Sequence, residues 1–424
     1  MQNTELIIRN ARLRNDRTRH DRATDDREQP VDIAISNGRI SPIGPRLQDA
    51  ASEEIDARGN LVTPSLVNPH MHLCKVWTLP MMSEEALLAY QQAGMTGAAA
   101  AIELASQIKQ SYHASWIEKN ARRAVALAAL YGTTHMRAFA DVDSKAKLEA
   151  IKALLAVRDE FRGIVELQVV AFAQDGIIKD PGTKRLMHEA MRLGADVVGG
   201  IPWIERTTAD MQAHVEICFD LAVSFDTDVS MLLDDSGDPR LRTLEMMADE
   251  AIKRGWQGRV VAHHCRAMSA YPEPYVREVL HTLREAGVAV VSNPHTGPLH
   301  ARIPEMLAAG ITVCLGQDDI SDAYYPFGRN NMLEIAFLAS HLLWMMSRSE
   351  METLYDMITV NPAKALHISD FAIAVGAPAN IVVLDQPDIV EALRFHGRPR
   401  AVICHGRAVD LDRISKLAFT AGGG

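Results

Sequence analysis

Through the middle of the chain, short apolar runs alternate with longer stretches whose apolar residues recur at helical spacing. Runs of five to eight residues bounded by turn formers read as buried strands, and apolar positions at i, i+3 and i+4 read as helix. Strands are predicted at Leu66–His72, Thr134–Asp141, Val165–Phe172, Val197–Pro202, Asp228–Leu233, Arg259–His264, Val288–Asn293 and Thr312–Asp318. Helices fill the gaps, among them Ser144–Glu160, Thr183–Leu193 and Met211–Phe225. Eight such units close naturally into a (β/α)8 barrel of the TIM type. The ends differ. Leu6–Ile8, Val31–Ile35 and Arg39–Ile43 open the chain as short strands, with Asn37-Gly38 as a hairpin turn. Ala379–Leu384 and Ala401–His405 close it in the same style. The expected architecture is α/β: a TIM barrel over residues 63–369 and a small β-sandwich built from residues 1–62 and 370–415. A flexible tail is expected over 416–424.

Composition narrows the function classes. Of 424 residues, 47% are hydrophobic and 23% charged, as in ordinary globular proteins. The net charge of −10 speaks against a nucleic-acid partner, which requires clustered Lys and Arg. Cys74, Cys218, Cys265, Cys314 and Cys404 are odd in number and lack CxxC spacing, so neither a disulfide framework nor a zinc ribbon is expected. No apolar run approaches the roughly 20 residues of a membrane span. The first sixteen residues lack the basic region and apolar core of a signal peptide. A cytoplasmic protein without membrane association is expected.

Barrel enzymes carry their chemistry at the C-terminal ends of the strands. Here His70-Met71-His72 ends the first predicted strand, Asp141 the second, and Gln174 follows the third. His263-His264 ends the sixth, Asn293-Pro294-His295 the seventh and Gln317-Asp318-Asp319 the eighth. Alternation along a strand places His70 and His72 on one side. Standing alone, such a pair is more often two half-buried histidines. Facing an aspartate on the last strand, it becomes a set suited to Zn²⁺ or Fe²⁺. If His264 points inward, alternation turns His263 and Cys265 away from the barrel axis.

These residues, with Val67-Asn68-Pro69 before them, Val169–Gly176, Leu193–Gly199 and Tyr325-Pro326-Phe327-Gly328, resemble the amidohydrolase superfamily. Within it the chain is most similar to the cytosine deaminase and N-isopropylammelide amidohydrolase members, over nearly its whole length. The resemblance implies one divalent metal, Zn or Fe, held by His70, His72 and Asp318. It implies catalytic roles for Asp318 and for His264, beside the metal-bound water. Substrate contacts are implied for Gln174, against a ring amide, for Asp319 and for Tyr324. A homo-oligomer acting on a small molecule is implied as well.

Strand five departs from that pattern. The resemblance implies a metal-binding histidine and a proton-shuttling glutamate there, whereas this chain has Ser230 and Leu233. Phe139 stands on strand two where the relatives carry a histidine. Serine is a poor ligand, so the metal is expected to bind weakly or not at all. Proton transfer of the kind lost at Leu233 contributes roughly 10²–10⁴-fold to catalysis. Asp234 or Asp235 would enter the site only through a bulge, and otherwise belongs to an acidic loop. Lys75 reads equally as a substrate contact and as a solvated loop lysine. No lysine on Val197–Pro202 is placed to bridge a second metal. The expected function is metal-dependent hydrolysis of a C–N bond, of deaminase or amidohydrolase type. Its expected substrate is small, cyclic or amide-like, and not cytosine. The alternative is a degenerate or metal-free amidohydrolase fold that binds a small ligand or performs different chemistry.

Overall fold

The computed structural model describes residues 4–14, 29–82, 84, 88, 102 and 106–419. Near the N-terminus, β1 (Thr4–Leu13) pairs antiparallel with β2 (Val31–Ser36), which pairs antiparallel with β3 (Arg39–Gly44). β4 (Ala51–Asp56) and β5 (Leu61–Pro64) both run parallel to β1. The Asn37-Gly38 turn has positive φ at both residues, +52° and +73°, the geometry that suits the twist of a two-residue hairpin.

The barrel follows. Its strands are β6 (Leu66–Met71), β7 (Thr133–Asp141), β8 (Glu166–Phe172), β9 (Val197–Gly200), β10 (Asp228–Leu233), β11 (Val260–His264), β12 (Ala289–Ser292) and β13 (Val313–Leu315). Each neighbour in that order is paired and parallel. All eight predicted strands are present, shifted by no more than a few residues at their ends. A bridge between Met71 and Asp318 joins the first strand to the last. The seam is backbone: His72 N donates to Asp318 O at 2.8 Å, and Asp318 N to His70 O at 2.9 Å.

Helix boundaries follow local capping. The helix Thr183–Leu193 lies as predicted, bracketed by Gly182 and Gly194 at φ +100° and +107°. The next begins earlier than predicted, at Thr208, because the Thr207 side chain accepts from Asp210 N. The helix predicted from Ser144 begins at Glu149. Asp143 Oδ1 instead accepts from the Lys145 and Ala146 amides and bends the chain into a turn.

The last strands, β14 (Ile381–Val383), β15 (Ala401–Cys404) and β16 (Arg407–Ala408), return to β5. One hydrogen-bonded path therefore runs β16-β15-β14-β5-β1-β2-β3. Leu6, Ile8, Ile33, Ile35, Val62, Ile381 and Ile403 pack together as its apolar core. Two hairpin turns, one from each end of the chain, lie backbone against backbone. A Cβ on Gly406 would fall 2.5 Å from Gly38 Cα, so glycine is required at this contact. The predicted tail is partly ordered: Leu411–Phe419 is a helix with Ile414 and Ala418 buried, and Arg123 Nε donates to Ala418 O at 3.0 Å. The remainder of that tail and the stretch 15–28 lie outside the described residues.

His405, after β15, meets Glu166 at the start of β8, with Nε2 3.3 Å from Oε1. The hydrogen bond from His405 pulls the Glu166 carboxyl down to about 2, and the same bond raises the His405 imidazole. The glutamate contribution is present above its unfolded value of 4.5 and fades as pH falls towards 2. The histidine contribution is present below 6.5 and fades as pH rises through the raised value. The pair therefore stabilises most between the two unfolded values. Because both side chains are more than a third exposed, the effect is about 1 kcal/mol or less. Glu166→Gln is expected to lower the melting temperature more near pH 5.5 than near pH 9. Thermal denaturation at both pH values measures this.

Candidate active site

Side-chain parity inside the barrel is set by the strands. Phe139, Val170, Phe172, Val197 and Leu232 cluster on the interior, and Val67, Val261, Ala289, Val291 and Cys314 form a second interior cluster. Below the site, buried Arg137 donates to Gln168 Oε1 at 2.9 Å and to Asp228 Oδ2 at 3.4 Å. Met231 and Leu233 belong instead to the apolar layer between strands and helices. Leu233 is therefore outside the pocket, contrary to its expected place. Its neighbour Leu232 faces inward, because period-two alternation continues unbroken to the strand end.

At the C-terminal mouth, Asp318 Oδ1 lies 2.9 Å from His70 Nε2, 3.8 Å from His72 Nε2 and 3.8 Å from His264 Nε2. The other Asp318 oxygen accepts from Thr296 Oγ1 at 2.8 Å. Asp318 and His264 have φ of +72° and +66°, and this left-handed backbone turns both side chains into the pocket. Burial holds His72 well below its ordinary value and pushes His264 down to about 4, so both are neutral near pH 7. Burial alone would raise Asp318, but the surrounding imidazoles hold its carboxyl well below the usual range.

The donor set fits a divalent cation. Neutral imidazole nitrogens and a carboxylate oxygen are the ligand types Zn²⁺ and Fe²⁺ take. His70 Nε2 is fully buried, and among the described residues it faces only the Asp318 carboxylate, at 2.9 Å. His70, His264 and Asp318 present ligand atoms mutually within 4.8 Å, and so do His72, Asp318 and Asp319.

Correcting the expectation for strand six, His263 points inward. It continues the parity of Val261, and its ring lies 5.0 Å from Phe139 and 4.6 Å from His70. Strand parity runs through His263, and His264 reaches the pocket through its positive φ. Ser230 also faces inward, with Oγ 2.7 Å from His263 Nε2. Phe139 walls the imidazoles, 4.7 Å from His70 and 5.2 Å from His72.

Beside this cluster lies a polar pocket. Lys75 is buried, and its Nζ donates to Gln174 Oε1 at 2.6 Å and sits 4.9 Å from the centre of the Tyr324 ring. Gln174 Nε2 donates to Tyr324 Oη at 3.3 Å. The solvated-loop reading of Lys75 therefore fails. Burial, reinforced by the charges of Asp318 and Asp322, raises Asp319 well above the usual carboxylate range. Asp234 is structural: it accepts from Thr243 N at 2.9 Å and from Tyr271 Oη at 2.7 Å. Asp235 is the one that turns to the mouth, paired with Arg266 and 4.0 Å from His264 Nε2. Asp141 is tied to Tyr112 Oη at 3.1 Å, and His295 Nε2 to Gln317 O at 3.1 Å. Sequence reasoning gave no role to Thr296 and Arg266, which lie on βα loops with no motif to flag them.

A closed parallel barrel with imidazoles and a carboxylate gathered at the ends of its first, sixth and last strands has the plan of a barrel hydrolase. Residues 53–410 match the amidohydrolase family. N-isopropylammelide isopropyl amidohydrolase of Pseudomonas sp. (strain ADP) is 28% identical over 411 residues, covering 97% of this chain and 98% of that protein. Pterin deaminase of Rhizobium rhizogenes is 23% identical over 397 residues, 89% of this chain and 87% of that one. The crystal structure of 5-methylcytosine deaminase from Klebsiella pneumoniae with 5-fluorocytosine superposes with a TM-score of 0.83 at 32% identity, covering 95% and 97% of the two chains. The chain belongs to the amidohydrolase family, and it is a hydrolase of carbon–nitrogen bonds other than peptide bonds.

Proposed function

We propose that this protein is a metal-dependent hydrolase that replaces an amino or alkylamino group on a small cyclic, amide-like substrate with oxygen, and that cytosine is not its preferred substrate. The observation that carries the reading is the convergence of three imidazole Nε2 atoms on Asp318 Oδ1. The relatives named for ammelide, pterin and 5-methylcytosine chemistry support the substrate class. His70, His72 and Asp318, with His264 beside them, would hold a divalent ion, which would supply a water nucleophile at neutral pH by lowering the pKa of that water towards about 7.

The chain's own residues do the rest. Gln174 and Lys75 hold an NH–C=O edge of the ring, the amide oxygen of Gln174 accepting and the Lys75 ammonium donating. Tyr324 covers that edge. Asp318 accepts the proton of the attacking water, and neutral His264 hydrogen-bonds the oxygen as it adds to the ring carbon. The leaving nitrogen departs as ammonia or an amine once it has been protonated. Asp319, whose carboxyl burial raises well above the usual range and which lies in one group with His72 and Asp318, is the acid placed to supply that proton.

Release of ammonia or amine from pyrimidines, triazines, pterins and cyclic amides, by protein loaded with Zn²⁺ or Fe²⁺, tests the reading. Turnover that a chelator abolishes and added metal restores is expected. Metal-loaded protein silent across the whole panel would sink the proposal, and cytosine as the best substrate would overturn its second half.

A further inference from the structure

Ser230 lacks the ligand nitrogen that the family places on strand five, and an extra imidazole, His263, enters the barrel from strand six. The two are in contact. Ser230 Oγ lies 2.7 Å from His263 Nε2, and His263 Nδ1 lies 2.6 Å from His70 Nδ1. All three side chains are wholly buried. Packing against Phe139 accounts for a flat ring at this position, but not for hydrogen bonds at both of its nitrogens.

The proton positions follow from the direction in which His70 must face. To offer its Nε2 lone pair to a cation held jointly with Asp318, His70 carries its proton on Nδ1. That N–H points at His263 Nδ1, which must therefore be an acceptor. His263 then carries its own proton on Nε2 and donates it to Ser230 Oγ. The opposite assignment would put a proton on His70 Nε2 and close it to a metal. Metal-binding histidines generally have the second ring nitrogen held in this manner, and its loss costs about 10–100-fold in metal affinity.

We propose that His263 and Ser230 are positioning residues for the metal centre: the line Ser230–His263–His70 fixes the tautomer and ring orientation of His70. The imidazole absent from strand five has become, on strand six, a support for a ligand. This inference rests on the metal-dependent reading above.

The test is Zn²⁺ affinity, by competition with a chromophoric chelator, with the absorption spectrum of the Co²⁺-loaded protein as a second readout. His263→Phe keeps the ring and its packing and removes both nitrogens. It is expected to weaken Zn²⁺ binding about 10–100-fold and to alter the Co²⁺ spectrum. Ser230→Ala, the smaller change, is expected to weaken binding several-fold with an unchanged circular dichroism spectrum, and Ser230→Thr to restore it. Because the residues act in one line, the double variant is expected to bind no more weakly than His263→Phe alone. Wild-type affinity in folded His263→Phe, or full additivity of the two losses, would overturn the proposal while leaving the metal reading intact. A wild-type protein that takes up no metal would overturn both. If His263→Phe fails to fold, wild-type affinity in Ser230→Ala is decisive against the proposal.

Discussion

Asp318→Asn is expected to bind little metal and to lose roughly 10²–10⁴-fold in turnover, the range for removal of a general base. Among the described residues, this carboxylate is the anionic group that all three imidazoles face, at 2.9, 3.8 and 3.8 Å. Asparagine keeps its shape and tolerates the φ of +72° found here, so the loss reads charge and not backbone. The seam that closes the barrel passes through the Asp318 main chain, and those hydrogen bonds survive the substitution. Elemental analysis of the dialysed variant, beside amine release and apo-protein melting, separates the three effects. Retained metal with retained turnover would remove Asp318 from both of its proposed roles.

Glu205→Ala is expected to be the most costly of the single changes to stability. The carboxylate accepts from Ile177 N at 2.7 Å, Ile178 N at 3.0 Å and Lys179 N at 2.8 Å, and it meets His214 Nδ1 at 2.8 Å. These are the amides of the loop that follows Gln174. Each fully buried donor left without an acceptor costs about 1–3 kcal/mol; Ile177 N and His214 Nδ1 are buried and the other two amides partly so, and a total of about 3 kcal/mol is expected. Gly176 records how closely the loop wraps: at φ +95°, a Cβ there would lie 2.9 Å from Glu205 Oε1. Burial would raise the Glu205 carboxyl, but His214 and the loop amides hold it below 4.5. Its contribution is thus present above that value and lost as pH falls through the lower, folded one. Urea denaturation near pH 7 and pH 4 measures both the size and the sign. Because Glu205 touches the loop and His214 and none of the candidate metal ligands, metal content should persist while KM rises. A variant that kept wild-type stability would show that the loop does not depend on this carboxylate.

The barrel was legible because fully buried parallel strands are continuous apolar runs, and turn residues punctuate them. His70, His72 and Asp318 were legible for the same reason: strand-end polar residues stand out against such runs. What failed was parity beyond the last regular residue. At His264 and Asp318 the backbone enters a left-handed conformation that no hydrophobic period encodes. The doublet His263-His264 consequently reads as one residue in and one out, although both face the interior. Leu233 differs in the opposite sense: the resemblance implies a pocket position, whereas strand geometry turns it outward into the apolar layer. Lys75 and Asp235 were undecidable from sequence, since their burial depends on neighbours from distant strands.

The stacked hairpins of the small domain bear on the order in which the chain can be completed. Gly38 meets Gly406, and its carbonyl accepts from Ala379 N at 2.9 Å. Roughly 340 residues lie between Gly38 and Ala379, a translation delay on the order of 20–70 s at ordinary elongation rates. During that interval Leu6, Ile8, Ile33 and Ile35 lack the apolar partners Ile381 and Ile403 that later cover them. These strands thus leave the ribosome well before the barrel yet are sealed after it, and the nascent chain offers a sticky sheet fragment for as long as the barrel takes to be made.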